Sequence, residues 1–70
     1  MPKDNVYKHI RLTGTSSKSI EDAVGNAVKR AGKTLRDLRW FQVVETRGSV
    51  VDDHVGQWQV TVEIGFHLDA

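Results

Sequence analysis

Gln57-Trp58-Gln59-Val60-Thr61-Val62-Glu63-Ile64-Gly65-Phe66-His67-Leu68 carries the clearest structural signal in the chain. Apolar and polar residues alternate through it without a break. Trp58, Val60, Val62, Ile64, Phe66 and Leu68 fall on one face; Gln57, Gln59, Thr61, Glu63, Gly65 and His67 fall on the other. A period of two marks a strand with one covered and one open face. Such a strand requires neighbours along its edges and a second layer over its apolar side.

The neighbours lie upstream. Asp52-Asp53 is a turn signal, and the run from Arg39 to Val51 before it reads as a strand, so the two runs form a hairpin. Alternation in the earlier run is imperfect. Phe41 and Val43 face one way, Trp40, Gln42 and Thr46 the other, and Val44 breaks the pattern. Adjacent valines predict a bulge or a strand covered on both faces. A third strand spans Val6 to Thr13, with Val6, Ile10 and Leu12 on one face and Tyr7, His9, Arg11 and Thr13 on the other, Lys8 being the exception. Gly14-Thr15-Ser16-Ser17 is expected to end it and to supply oxygens for a helix cap; Ser19, followed by Asp22, is a second candidate cap.

The second layer is the helix between these strands. Ile20, Ala23, Val24, Ala27, Val28, Ala31, Leu35 and Leu38 recur at spacings of three and four and make one apolar stripe. Glu21 and Asp22 begin it, and Lys29, Arg30, Lys33 and Arg36 gather toward its end, as the helix dipole favours. Gly25 and Gly32 weaken the helix, either as tolerated positions or to let another backbone or a ligand approach. The order is β-α-β-β, an α+β fold with a three-stranded antiparallel sheet packed on one helix and the last strand in the middle. The helix then makes the usual right-handed crossover.

Length and composition bound the function. Seventy residues make a single domain, read as residues 1–70. One core of this size rarely supplies more than ~3–5 kcal/mol, so small domains add disulfides, metals or self-association. The chain has no cysteine, and His9, His54 and His67 lack the paired spacing of a zinc site. Self-association is the remaining remedy. Ten basic against nine acidic residues is not the footprint of a nucleic-acid binder. No apolar run is long enough to span a membrane, and Met1-Pro2-Lys3-Asp4-Asn5 does not open a signal peptide. A cytoplasmic protein is expected. No nucleophile–base pairing or carboxylate pair suggests an enzyme.

Trp40 is the candidate functional residue. A flat indole near the amides of Gln57 and Gln59 and a guanidinium would make a platform for a flat, hydrogen-bonding heterocycle. The alternative is that Trp40 caps the helix–sheet core or fills a subunit interface.

Seven pieces in order carry a resemblance: Val6-Tyr7-Lys8, Leu12-Thr13-Gly14-Thr15-Ser16, Ala31-Gly32-Lys33-Thr34-Leu35-Arg36, Trp40-Phe41, Thr46-Arg47-Gly48, Gln57-Trp58-Gln59-Val60 and Gly65-Phe66-His67-Leu68. Together they resemble the dodecins over nearly the whole chain. The resemblance implies a hollow homododecamer of β-α-β-β subunits that binds flavin (FMN, riboflavin or FAD). It implies that two flavins stack at a two-fold axis between Trp40 and its symmetry mate, with Gln59 at the polar ring edge and Arg47 near the ring. For Gln59 the alternative is a solvated residue, and for Arg47 a pairing with Glu45 or Asp52.

Some dodecins also bind coenzyme A or flavin-nucleotide phosphates. The resemblance nominates Tyr7, Arg30, Lys33, Arg36 and His67 for those contacts, with a solvated basic face as the alternative for Arg36. Many members carry Arg where this chain has His67. An imidazole is mostly uncharged near neutral pH, so weaker or pH-dependent phosphate binding is expected. The function implied is non-catalytic storage or buffering of flavin with quenching of its photochemistry, or a coenzyme A or mixed nucleotide-binding module in which flavin is secondary.

Overall fold

The strands and the helix follow in the expected order: β1 (Tyr7–Ser16), α1 (Ile20–Gly32), β2 (Leu38–Val51) and β3 (His54–His67). This computed structural model describes residues 4–68; Met1-Pro2-Lys3, part of the segment read above for a signal peptide, lies outside the described residues, as do Asp69 and Ala70. The sheet is antiparallel with order β1-β3-β2, so the cleanest alternating stretch takes the central place. Val60, Val62 and Ile64 of β3 are fully buried beneath Ala23, Ala27 and Ala31 of the helix, and Ile10, Leu12, Leu35, Leu38 and Trp58 pack around them.

Of the two cap candidates the second is the one used. Ser19 is the N-cap, its Oγ accepting from the Asp22 backbone N–H at 3.0 Å. Buried Ser16 donates to Asp22 Oδ2 at 2.7 Å and accepts from the Lys18 N–H at 2.9 Å. The expected strand end at Gly14 is corrected, because β1 continues to Ser16. Gly14 is needed for space: a Cβ there would overlap the Ala23 carbonyl oxygen and lie 2.9 Å from Ala27 Cβ. The helix therefore rests directly on this strand. Gly25 has no such role, since a Cβ there meets nothing within 4 Å.

The helix stops at Gly32, short of the predicted stripe, with Lys33 as C-cap. Lys33 and Arg36 are thus outside it, and only Lys29 and Arg30 occupy the last turn. Leu35 and Leu38 still reach the core, from the connection and from the first residue of β2. Asp37 turns the chain with φ of 59°, and its carbonyl accepts from the His67 N–H at 3.1 Å. Leu68 falls beyond β3 and is exposed, as is Val6.

The valine pair does mark a bulge. Val43 pairs with Val62, but Glu45, not Val44, pairs with Thr61. One inserted residue reverses the facing of the residues that follow it, up to the next register shift after Gly48. Thr46 therefore sits opposite Val60 on the helix side, contrary to the simple alternation, while Glu45 and Arg47 move to the open face. At the hairpin, Asp52 and Asp53 both have positive φ, 50° and 64°, the two-residue turn that matches strand twist.

Within one chain β2 buries very little. Leu38 and Ser49 are half-buried and its other residues are exposed. Phe41, Val43, Val44, Val50 and Val51 leave apolar surface uncovered along an edge strand, and the molecule extends 57 Å in its longest direction.

Candidate functional site

The side of the sheet away from the helix is open, and register places its residues. Tyr7 sits opposite His67, His9 opposite Gly65, Arg11 opposite Glu63, and Thr13 opposite Thr61. From β2, Trp40 lies opposite Gly65 and Arg47 opposite Gln59. Trp40 is therefore a side chain of the open face, on the uncovered side as its place in the alternation implied.

Its surroundings are specific. The indole lies across Gly65, where a Cβ would overlap Cε2 and Cζ2 and come within 2.8 Å of Cδ2. Tyr7 meets the indole with centroids 4.9 Å apart and planes at 61°, and His9 meets it at 5.4 Å and 79°. Trp40 remains 39 % exposed, so an aromatic surface is left for a partner.

His9 is anchored in turn. Its Nδ1 lies 3.1 Å from Glu63 Oε1, while Arg11 donates to Glu63 Oε2 through Nε at 3.1 Å and Nη2 at 2.7 Å. The hydrogen bond from Arg11, and then that from His9, holds the Glu63 carboxyl below its ordinary pKa. Further along, Thr13 and Thr61 hydroxyls are 2.8 Å apart.

Gln59 and Arg47 do come together. Arg47 Nε donates to Gln59 Oε1 at 3.0 Å and lies 3.9 Å from Glu45 Oε1. The guanidinium can only donate, so it turns the amide oxygen toward itself and leaves the amide NH2 outward. Arg47 is thus shared between Gln59 and Glu45, the partner the sequence offered as its alternative.

The indole and the amide are not neighbours within one chain. Gln59 is six residues from Gly65, the residue under Trp40, which is roughly 20 Å at the ~3.3 Å per residue of a strand. One ring cannot touch the indole and the amide of the same chain. A hollow beside Trp40 is also small, about 150 Å³, and mainly apolar, lined by Val28, Leu38, Arg39, Trp40, Phe41 and Ile64. Pockets that enclose a small molecule are usually ~300–1,000 Å³.

The nominated phosphate residues divide. Tyr7 and His67 touch, with centroids 5.6 Å apart. His67 also lies 3.2 Å from Asn5 Oδ1 and 4.0 Å from Asp37 Oδ2. Arg30, Lys33 and Arg36 are exposed, and the topology brings the helix C-terminus to this same end of the sheet, where β2 starts. Among the described residues none of the three forms a side-chain hydrogen bond or ion pair with Tyr7. Sequence reasoning missed Gly65 and His9 as site residues; the only signal was a glycine interrupting the open face of the best strand.

A family profile for dodecin matches residues 6–69. The chain belongs to the dodecin family. It is similar to a dodecin of Thermus thermophilus, 47 % identical over 64 residues that cover 91 % of this chain and 93 % of that one. It is also similar to the calcium dodecin of Mycobacterium tuberculosis, 35 % identical over 66 residues, covering 91 % and 90 %. Among solved structures, the dodecin of Streptomyces coelicolor superposes with a TM-score of 0.94 at 40 % identity and covers 99 % of both chains. Family and fold are therefore as the sequence resemblance implied. Among the described residues, no three His, Asp or Glu side chains gather as a metal site would require.

Proposed function

We propose that this chain is a non-catalytic flavin-binding protein that stores or buffers flavin and suppresses its photochemistry. The observation that carries the reading is Trp40: an indole laid across Gly65, edged by Tyr7 and His9, and exposed on an open sheet face in a dodecin-family chain. A flavin stacked on it gains aromatic contact worth ~0.5–1.5 kcal/mol beyond area burial. The outward amide NH2 of Gln59 is suited to a ring carbonyl, with Arg47 holding the amide in place.

The separation along β3 means that indole and amide reach one ring only from different copies. A symmetric assembly, a homododecamer in the cytoplasm, supplies that second copy and covers the exposed β2. Two flavins stacked between symmetry-related indoles have both ring faces blocked, which suits storage and not turnover. An indole in face contact also donates an electron to photoexcited flavin and quenches it.

Absorbance of the purified protein at the flavin bands is the first test, with titration of FMN and riboflavin. Trp40→Ala should lose fluorescence quenching and weaken flavin binding by a few kcal/mol, as truncating a stacked hot-spot aromatic does, while the oligomer persists. A variant that quenches like the parent but no longer assembles would make Trp40 an interface residue.

A second reading is coenzyme A or mixed nucleotide binding, favoured by one observation: Tyr7, His67, Arg30, Lys33 and Arg36 share one end of the subunit. Calorimetry with coenzyme A, in protein saturated with FMN, separates the two readings.

A further inference from the structure

We propose that Gly65 and His9 are positioning residues that fix the plane of Trp40 before any ligand arrives, Gly65 as the seat of the indole and His9 as a wall against its edge. The inference rests on the flavin reading for its purpose, but its geometry is a property of the ligand-free chain.

Gly65 is a glycine for space alone. No glycine in the described residues has a positive φ, so its backbone is one that any residue adopts. A single methyl there would overlap Cε2 and Cζ2 of the indole. The indole can lie down on β3 only because this position has no side chain. Its plane is then set from the side. His9, directly opposite Gly65 on β1, stands at 79° to the indole with centroids 5.4 Å apart.

His9 does not stand freely. Glu63 Oε1 lies 3.1 Å from its Nδ1, and Arg11 holds the other carboxylate oxygen at 2.7 Å. The chain Arg11–Glu63–His9 thus fixes the imidazole as an imidazole is fixed behind a metal or a catalytic base, by a carboxylate on its Nδ1. Here the imidazole is turned to the indole. A surface indole would otherwise sample several rotamers, and holding one of them lowers the ordering cost of stacking a ring on it.

The test uses the full chain without ligand, then with FMN. The near-ultraviolet circular dichroism of Trp40 is isolated as the difference between the parent and Trp40→Phe. Gly65→Ala should abolish that band while far-ultraviolet dichroism and particle size stay unchanged. His9→Ala should reduce it, and His9→Phe, which keeps a flat edge, should restore it. With FMN, the dissociation constant should rise about threefold to tenfold for His9→Ala, the range of one aromatic pair. An unchanged Trp40 band in Gly65→Ala overturns the proposal. Should Gly65→Ala not fold, His9→Ala decides: a reduced band supports the proposal and an unchanged one overturns it. Equal impairment in His9→Ala and His9→Phe also overturns the role assigned to His9. Because the dichroism needs no ligand, a parent that fails to bind FMN would remove the flavin reading and leave this inference to stand or fall separately.

Discussion

Gln59 tests the polar half of the site. Its oxygen is taken by Arg47, so the NH2 is what it offers a ligand. Gln59→Glu keeps a partner for Arg47 and loses that donor, turning a carboxylate toward ring carbonyls. Unpaired polar groups in a partly dry site cost ~1–3 kcal/mol, more when charged, so flavin affinity measured by calorimetry should fall at least about tenfold. Recovery in acid should come only below the ordinary carboxylate range, because Arg47 favours the charged form; unchanged affinity would make the amide a solvated residue. Glu63 gives a second prediction. Its pKa is lowered from 4.5, chiefly by the hydrogen bond from Arg11. A carboxylate depressed in the folded state contributes stability above its unfolded pKa and loses it as pH falls through the folded value. The stability gap between the parent and Glu63→Gln, read from urea midpoints, should therefore hold from neutral pH down to about 4.5 and close below it. A gap that widened in acid would reverse the sign. Neither His9 nor Gly65 was legible as a site residue in the sequence, since what singles them out is a cross-strand register.

At the level of the elements, order, type and strand placement were legible because period-two and period-three-to-four patterns are local. The exceptions are places where one residue changes the phase or where a distant element decides. Val44 is inserted at the bulge, and a simple alternation carried past it puts Thr46 on the wrong face. The apolar stripe extends in sequence to Leu38 because Leu35 and Leu38 do face the core, yet they reach it after the helix has ended at Gly32. Gly14 looked like a strand terminator and is instead the contact floor for the helix. Gly14→Ala should therefore destabilise the fold by about 1–3 kcal/mol, the cost of forcing a methyl into a packed contact. Gly25→Ala should be neutral or mildly stabilising, by up to ~1 kcal/mol from helix propensity, because the space there is open. Urea unfolding of the two variants side by side checks both signs. Equal effects would mean that the helix does not rest on β1 as described.

For the whole molecule, the unfinished surface is the argument. A long edge strand with Phe41 51 % and Val50 76 % exposed is a hazard in a lone chain and an interface in a closed assembly. The dispersed site leads to the same place, since Trp40 and the Arg47–Gln59 pair are too far apart to serve one ring within a subunit. Light scattering at micromolar concentration should return a particle near twelve times the 7.9 kDa chain. Phe41→Asp places a charge on the exposed apolar edge of β2, where burying it in an interface without a partner is costly. That variant should yield smaller particles and should lose flavin quenching at the same step, although Trp40, Gln59 and Arg47 are all intact. Mixing offers the sharper form of the test. Trp40→Ala and Gln59→Glu subunits, each defective alone, should regain part of their quenching when unfolded and reassembled together, because mixed two-fold contacts can hold one sound site. A Phe41→Asp monomer that still quenched flavin, or mixed particles with no recovery, would place the whole site in one subunit, and the distance along β3 would then have to be closed by a change in the sheet itself.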